Sequence, residues 1–327
     1  MRILVFALAF ILSLPAFSQE KRWAVVELSS IYMRQQPDYE SALETQELMG
    51  TIVEITGEKG YWREIVSPQP YKAWATEKGL VEMSEEQIKA YKAAPKVLFT
   101  ELYGHLYLEP SISSTTICDL VGGDILRLVR PKGRWTEVLL PSGKTGWIKS
   151  AYLKKHTEFV SIAKGEGNAD SISDKKMEEI IAEAEKLLGV PYLWGGMTAK
   201  GVDCSGFVRI SYLMNGIQLP RNASQQIFCG DKVPMDIDTR FWDEQERESP
   251  DFAGEMQKRI TNLKRGDLVF FGTPAIGDKK QRVTHVGIYI GGNHIIHSSH
   301  MVRINSLLPT DADYYENSHR LLGAIRL

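Results

Sequence analysis

The chain has 327 residues, 43% of them apolar and 24% charged, the balance of an ordinary globular protein of two or three domains. With 39 basic and 41 acidic side chains the formal charge is −2, so no basic field exists to hold nucleic acid. Cys118, Cys204 and Cys229 are too few for a disulfide scaffold.

Residues 1–18 read as an export signal. Arg2 is followed by the apolar run Ile3 to Leu12 and then by small residues up to Gln19. That run falls short of the roughly 20 apolar residues needed to cross a bilayer. The expectation is a soluble protein without a membrane span, exported and periplasmic or secreted after cleavage.

An internal repeat follows. Gly50-Thr51-Ile52-Val53-Glu54-Ile55 aligns with Gly123-Asp124-Ile125-Leu126-Arg127-Leu128, Lys59-Gly60-Tyr61-Trp62 with Lys132-Gly133-Arg134-Trp135, and Ala73-Trp74 with Gly146-Trp147, all at one ungapped offset of 73. Short alternating runs broken by Gly, Pro and Lys-Gly turns predict small antiparallel barrels over 19–85 and 86–158. Trp62, Trp74, Trp135 and Trp147 are expected to fill them, with ligand stacking as the alternative. Ser84 to Ala94 reads as a connecting helix stopped by Pro95, and His156 to Ser173 as a polar linker.

The third unit, 159–327, changes character. Met177, Ile180, Ile181, Ala184 and Leu187 recur at helical spacing behind Ser173 or Asp174 as N-cap. After a Gly-rich turn, Cys204 opens a second apolar-periodic run, so it lies in the first turn of a buried helix. There the helix dipole and unpaired N–H groups favour a thiolate. Downstream, Asp267 to Phe271, His285 to Ile290 and Asn293 to Ser298 read as strands, the last two joined by a Gly291-Gly292 turn that can bring His285 beside His297. A thiolate, an imidazole and a polar group orienting that imidazole form the parts of a nucleophilic triad. His294, His297 and His300 invite a zinc reading, but alternation along a strand turns His297 away from the other two, and the cysteines lack ligand spacing. No metal and no cofactor is expected.

These pieces resemble the NlpC/P60 family of papain-like cysteine peptidases. The likeness rests on Pro191-Tyr192-x-Trp194-Gly195-Gly196, Asp203-Cys204-Ser205-Gly206-Phe207, Arg221-x-x-Ser224-x-Gln226, Gly266-Asp267-Leu268-x-Phe270-Phe271, His285-Val286-Gly287 and Ile296-His297-Ser298. The two repeats are similar to bacterial SH3 domains. The fold implied is multidomain: two small all-β SH3-like barrels, then an α+β papain-like catalytic domain. By the resemblance Cys204 is the nucleophile, His285 the general base and acid, His297 its orienting partner and Tyr192 part of the oxyanion site. Asp203 is implied in substrate binding, and backbone N–H groups around Cys204 and Ser205 in charge stabilisation, with Ser224 lining the cleft.

Two barrels before such a domain is similar to the γ-D-glutamyl-L-diamino acid endopeptidases. Those act on freed peptidoglycan peptides of the L-Ala-γ-D-Glu-diaminopimelate type, and their first barrel holds the substrate's free amine. The resemblance places Glu44, in Leu43-Glu44-Thr45-Gln46, and Tyr71, in Tyr71-Lys72-Ala73-Trp74, at that post, with Ala73 where relatives carry Gly. A monomer acting in wall turnover or recycling is implied. A wall-binding protein with a spent catalytic half, or an acyltransferase using the same thiol, are the other readings. The polar stretch 227–265 is either a lid or a surface excursion.

Overall fold

The 73-residue repeat becomes two sheets of the same topology. The first orders its strands Leu43–Leu48, Ser30–Arg34, Lys72–Thr76, Trp62–Val66, Ile52–Lys59, Arg22–Val26 and Leu80–Met83. The second runs Thr116–Val121, Tyr103–Tyr107, Thr145–Lys149, Trp135–Leu139, Ile125–Lys132, Lys96–Phe99 and Leu153–Lys155. This is a computed structural model that describes residues 21–68, 71–156, 160–161, 172–247, 249–275 and 277–327. Residues 1–18, read above as an export signal, and much of the polar linker lie outside them.

The four tryptophans do not fill the barrels. Ile31, Met33, Val53, Ile65, Ala73 and Ala75 form the first core, and Leu106, Leu120, Leu126, Val138 and Ile148 the heart of the second. Strand alternation explains the correction: with Ala73 and Ala75 facing inward, Trp74 between them must face out. Trp62 is buried from outside by Tyr39 and Tyr61, at ring distances of 5.0 and 5.6 Å. The Arg130 and Lys132 side chains cover Trp147 in the same way.

Between the barrels, Ser84 caps the helix Glu85–Ala93 in a reciprocal box with Gln87, and Ile88 and Tyr91 bury against Val25. The chain leaves at Pro95, which cannot continue the helix.

In the C-terminal half a six-stranded antiparallel sheet runs Asp231–Lys232, Leu321–Arg326, Leu268–Thr273, Arg282–Gly291, His294–Ser299 and Met301–Ser306. One face, with Phe270, Val286, Ile288 and Ile296, packs on the helix Cys204–Leu213 and on Met177, Ile180 and Ile181 of the helix Asp174–Lys186. Every residue of the Cys204 helix is buried. Leu48 and Val121, one from each barrel, join the same cluster, so all three units share a core.

The stretch 227–265 is neither lid nor excursion. Phe241, Phe252, Met256, Ile260 and Leu263 lie on the sheet's opposite face against Val269, Phe271, Tyr289 and Ile295. The apolar side chains of the helix Asp251–Ile260 supply a third layer that the sheet needs to be covered on both sides. No disulfide joins Cys118, Cys204 and Cys229.

Candidate active site

Cys204 is the first residue of its helix, and Asp203 is the N-cap, accepting from the Gly206 N–H at 2.7 Å. The Gly195-Gly196 turn brings Tyr192 alongside through a bridge to Val202 and the Gly195 N–H onto Asp203 at 3.0 Å. The sulfur lies against the backbone N–H groups of Val286 and Ser205. Val286 adjoins His285, so the helix start abuts the histidine strand.

On that strand Gly287 pairs with His297 of the next, and His297 with Arg303 of the one after. His285 stands two residues from Gly287, and Asn305 two from Arg303. The three side chains therefore share one face and step diagonally across three strands. A Cβ on Gly287 would stand 3.0 Å from that of His297, so the missing side chain gives His297 its room. His285 Nε2 meets His297 Nδ1 at 2.8 Å, and His297 Nε2 meets Asn305 Oδ1 at 3.0 Å. Tyr315 packs over both rings, at 5.6 and 4.6 Å, and Phe271 flanks His285 at 5.8 Å.

Helix position alone predicted a thiolate, and burial reverses that expectation. The thiol is pushed up to about 12 by desolvation and by the Asp203 charge, against the pull of the Val286 and Ser205 N–H groups. At the helix start Asp203 takes the Gly206 N–H and the sulfur meets that of Ser205, so the helix end is shared between the two. Burial likewise holds His285 well below the usual imidazole range, with His297 and Arg303 adding to it, and lowers His297 to about 4. The thiol and both rings are therefore neutral in the free protein.

A stability consequence follows from those rings. The unfolded chain binds protons at its histidines below about 6.5, where the folded chain does not, so their contribution is complete above 6.5 and lost as pH falls towards 4. His297 contributes on the order of 3 kcal/mol of that slope by the linkage of about 1.4 kcal/mol per unit. Urea unfolding at pH 7 and pH 4.5 should show the loss, and His297→Gln should flatten it. Equal slopes for the two proteins would contradict the burial argument.

The first barrel reaches this site directly. Its strand Leu43–Leu48 lies so close that a Cβ on Gly195 would come within 2.9 Å of Leu43. Gln46 accepts from the Met197 N–H at 2.9 Å, and Thr45 accepts from Arg221 Nε at 2.8 Å. Tyr71 donates to Glu44 at 2.9 Å, and Gln35 donates to the other Glu44 oxygen. Burial, then Glu44, raise the Tyr71 phenol above its ordinary value. Asp203 is held by Arg221 through Nη1 at 3.0 Å and Nη2 at 2.6 Å.

Ser205 Oγ donates to Asp203 and accepts from Arg221, at 3.2 and 3.1 Å, so its hydroxyl is spent in the interior. Ser224 is exposed on the short helix Ala223–Gln226; Gln226 is the residue that turns inward, to the Ser205 and Pro220 carbonyls. Tyr315 and Asn305 escaped the sequence reading because no motif marks them. His300 is not in a strand but in a left-handed turn, at φ 63°, which removes the His294/His300 pairing. Among the described residues His294, Asp311 and Asp313 have ligand atoms close enough to share a cation, a group that includes neither Cys204 nor His285.

Comparison with known proteins agrees with this architecture. Residues 189–320 match the NlpC/P60 family. A gamma-D-glutamyl-L-lysine dipeptidyl-peptidase of Bacillus cereus is 28% identical over 288 residues, 84% of this chain and 72% of that protein. The protein of the same name from Bacillus subtilis is 26% identical, covering 85% of this chain and 79% of its own length. An NlpC/P60 family protein solved from Bacillus cereus has the same fold, with a TM-score of 0.69 at 22% identity over 93% of this chain and 99% of that one. Residues 189–320 thus form an NlpC/P60 domain, that of a cysteine peptidase, behind two SH3-like barrels.

Proposed function

We propose that the protein hydrolyses the bond between γ-D-Glu and the following diamino acid in peptidoglycan peptides that begin with a free L-Ala. The observation that carries this reading is the Glu44–Tyr71 pair, set by the first barrel against the Gly195-Gly196 turn beside Cys204. Asp203 is committed to Arg221 and to the helix cap, so Glu44 supplies the carboxylate for an incoming ammonium. The dipeptidyl-peptidase names of the Bacillus relatives support a cut two residues from a free N-terminus.

In this reading the Cys204 proton passes to His285 as the sulfur attacks the γ-carbonyl carbon. Tyr192 and the backbone N–H groups at Ser205 and Val286 lie around the sulfur to receive the developing oxyanion. The His285 imidazolium, oriented by His297, then protonates the departing amine, leaving a thioester. Water attacks the thioester, giving its proton to His285, and the freed dipeptide acid leaves with Cys204 again a thiol. The site draws every part from one chain, which supports a monomer as the working unit. Residues 1–18 support export to the wall compartment, and among the described residues no helix is long and apolar enough to cross a membrane.

L-Ala-γ-D-Glu-diaminopimelate and its N-acetylated form, followed by mass spectrometry, test the reading. Acetylation removes the ammonium and leaves Glu44 without its charged partner, which costs about 3 kcal/mol, or roughly 100-fold in kcat/KM. Glu44→Gln should shrink that preference to about tenfold or less. Equal turnover of the two peptides overturns the amine gate; turnover of neither overturns the substrate class.

A further inference from the structure

The diagonal row on the sheet continues beyond His297, and its hydrogen bonds have only one consistent direction. Asn305 Nδ2 lies 2.7 Å from the Asp313 backbone carbonyl. A carbonyl cannot donate, so this contact fixes the amide orientation and turns Oδ1 towards His297. Oδ1 can only accept, so His297 Nε2 carries the proton of that 3.0 Å bond. In a neutral ring Nδ1 is then an acceptor. Its 2.8 Å neighbour, His285 Nε2, must therefore be the donor. That leaves the lone pair of His285 on Nδ1, the nitrogen not spent on His297.

We propose that Asn305 is a positioning residue: anchored by the Asp313 carbonyl, it sets the His297 tautomer and through it keeps the proton of His285 on Nε2, so that Nδ1 is always the base. The proposal rests on the reading of His285 as the general base. Every dipole in the chain points the same way, with its electron-rich end towards His285. When His285 takes the thiol proton, the row stabilises the imidazolium without any group having to turn. The surroundings do not compete for the role. Arg303 and Arg320 face the pair with positive charge, and Tyr315 and Phe271 cover it with ring faces and edges. Asn305 and His297 are both nine-tenths buried or more, so water does not substitute freely for the amide.

Removing the acceptor reverses the row. In Asn305→Leu, His297 gains nothing by keeping its proton on Nε2. It can hold the proton on Nδ1, directed at His285 Nε2, which then accepts and moves its own proton to Nδ1. His285 so arranged cannot take a proton from sulfur. Asn305→Asp keeps an acceptor facing His297 and preserves the native direction, although it loses the bond to Asp313.

Nitrogen-15 NMR of histidine-labelled protein reads the tautomers without substrate. In the wild type at pH 7.5, His285 and His297 should both carry their proton on Nε2, and Asn305→Leu should move His285 towards Nδ1–H. The rate of Cys204 alkylation by iodoacetamide, measured on its own peptide by mass spectrometry, should fall about 100-fold or more in Asn305→Leu, within the range that a wrong tautomer costs other triads. Asn305→Asp should recover at least a tenth of the wild-type rate. On peptide substrate the loss should appear in kcat with KM unchanged. A wild-type His285 protonated on Nδ1 overturns the proposal, as does an unaltered tautomer in Asn305→Leu or equal impairment of the Leu and Asp variants. Should Asn305→Leu fail to fold, the wild-type spectrum and Asn305→Asp decide alone. Lack of peptidase activity with correct tautomers would defeat the functional reading and leave this one standing.

Discussion

Cys204→Ala is expected to lose turnover by roughly 10⁴-fold or more while keeping its fold and its affinity for peptide. The sulfur is the one atom at the helix start placed to form a covalent intermediate, and the loss of its volume is small. His285→Ala should lose a similar amount, because a neutral thiol pushed up to about 12 has no other route to ionisation in a site this buried. The two losses should not add. Once the thiol or its base is gone the remaining member has no task, and the double variant should sit near either single one. Rates from single-turnover mass spectrometry and affinities from calorimetry separate the two effects. If Cys204→Ala retains a tenth of the wild-type rate, the chemistry is carried elsewhere. If Cys204→Ala and His285→Ala multiply in the double variant, the pair does not act as a unit.

Much of this site was legible in the chain. Two elements recurring at one offset foretold two sheets of identical strand order, because a barrel's topology follows from its turn positions and its alternation. Cys204 and His285 stood out because a small polar stretch opening an apolar helix, and a histidine opening an apolar strand, are local signals. Asn305 was illegible for a geometric reason. It follows His297 by eight residues across a turn, and only the register His297–Arg303 reveals that it lies diagonally beside the ring. Tyr315 arrives from an irregular loop that returns through the Ser306–Tyr314 bridge, which no periodicity announces. The ionisation of Cys204 was misjudged because a helix terminus is visible in sequence and the burial of its first residue is not. The tryptophans were misplaced by strand alternation: Ala73 and Ala75 face inward and turn Trp74 out, and Trp62 and Trp147 are buried under side chains on the outer faces and not inside the barrels.

Arg221→Met should cost the catalytic domain about 3–5 kcal/mol, the amount typical of breaking a buried ion pair by removing one partner. Arg221 is only 3% exposed and divides its donors among Asp203, Ser205 and Thr45. Burial works against its charge, yet the Asp203 carboxylate beside it holds its pKa above the ordinary value. Methionine fills much of the same volume but leaves Asp203 in the interior with the Gly195 and Gly206 N–H groups and the Ser205 hydroxyl, and with no cation. That carboxyl must then either stay charged at high cost or take a proton and weaken the cap on the Cys204 helix. The lost Thr45 bond also frees the strand that carries Glu44, so the variant should discriminate less between free and acetylated peptides as well as unfold at lower urea. Replacing both members, Arg221→Met with Asp203→Asn, should cost less than the sum of the single changes, because no unpaired charge is left behind. Urea unfolding followed by circular dichroism measures the three variants. A loss below about 1 kcal/mol for Arg221→Met, or strict additivity in the double variant, would mean that the pair does not join the barrel to the helix start.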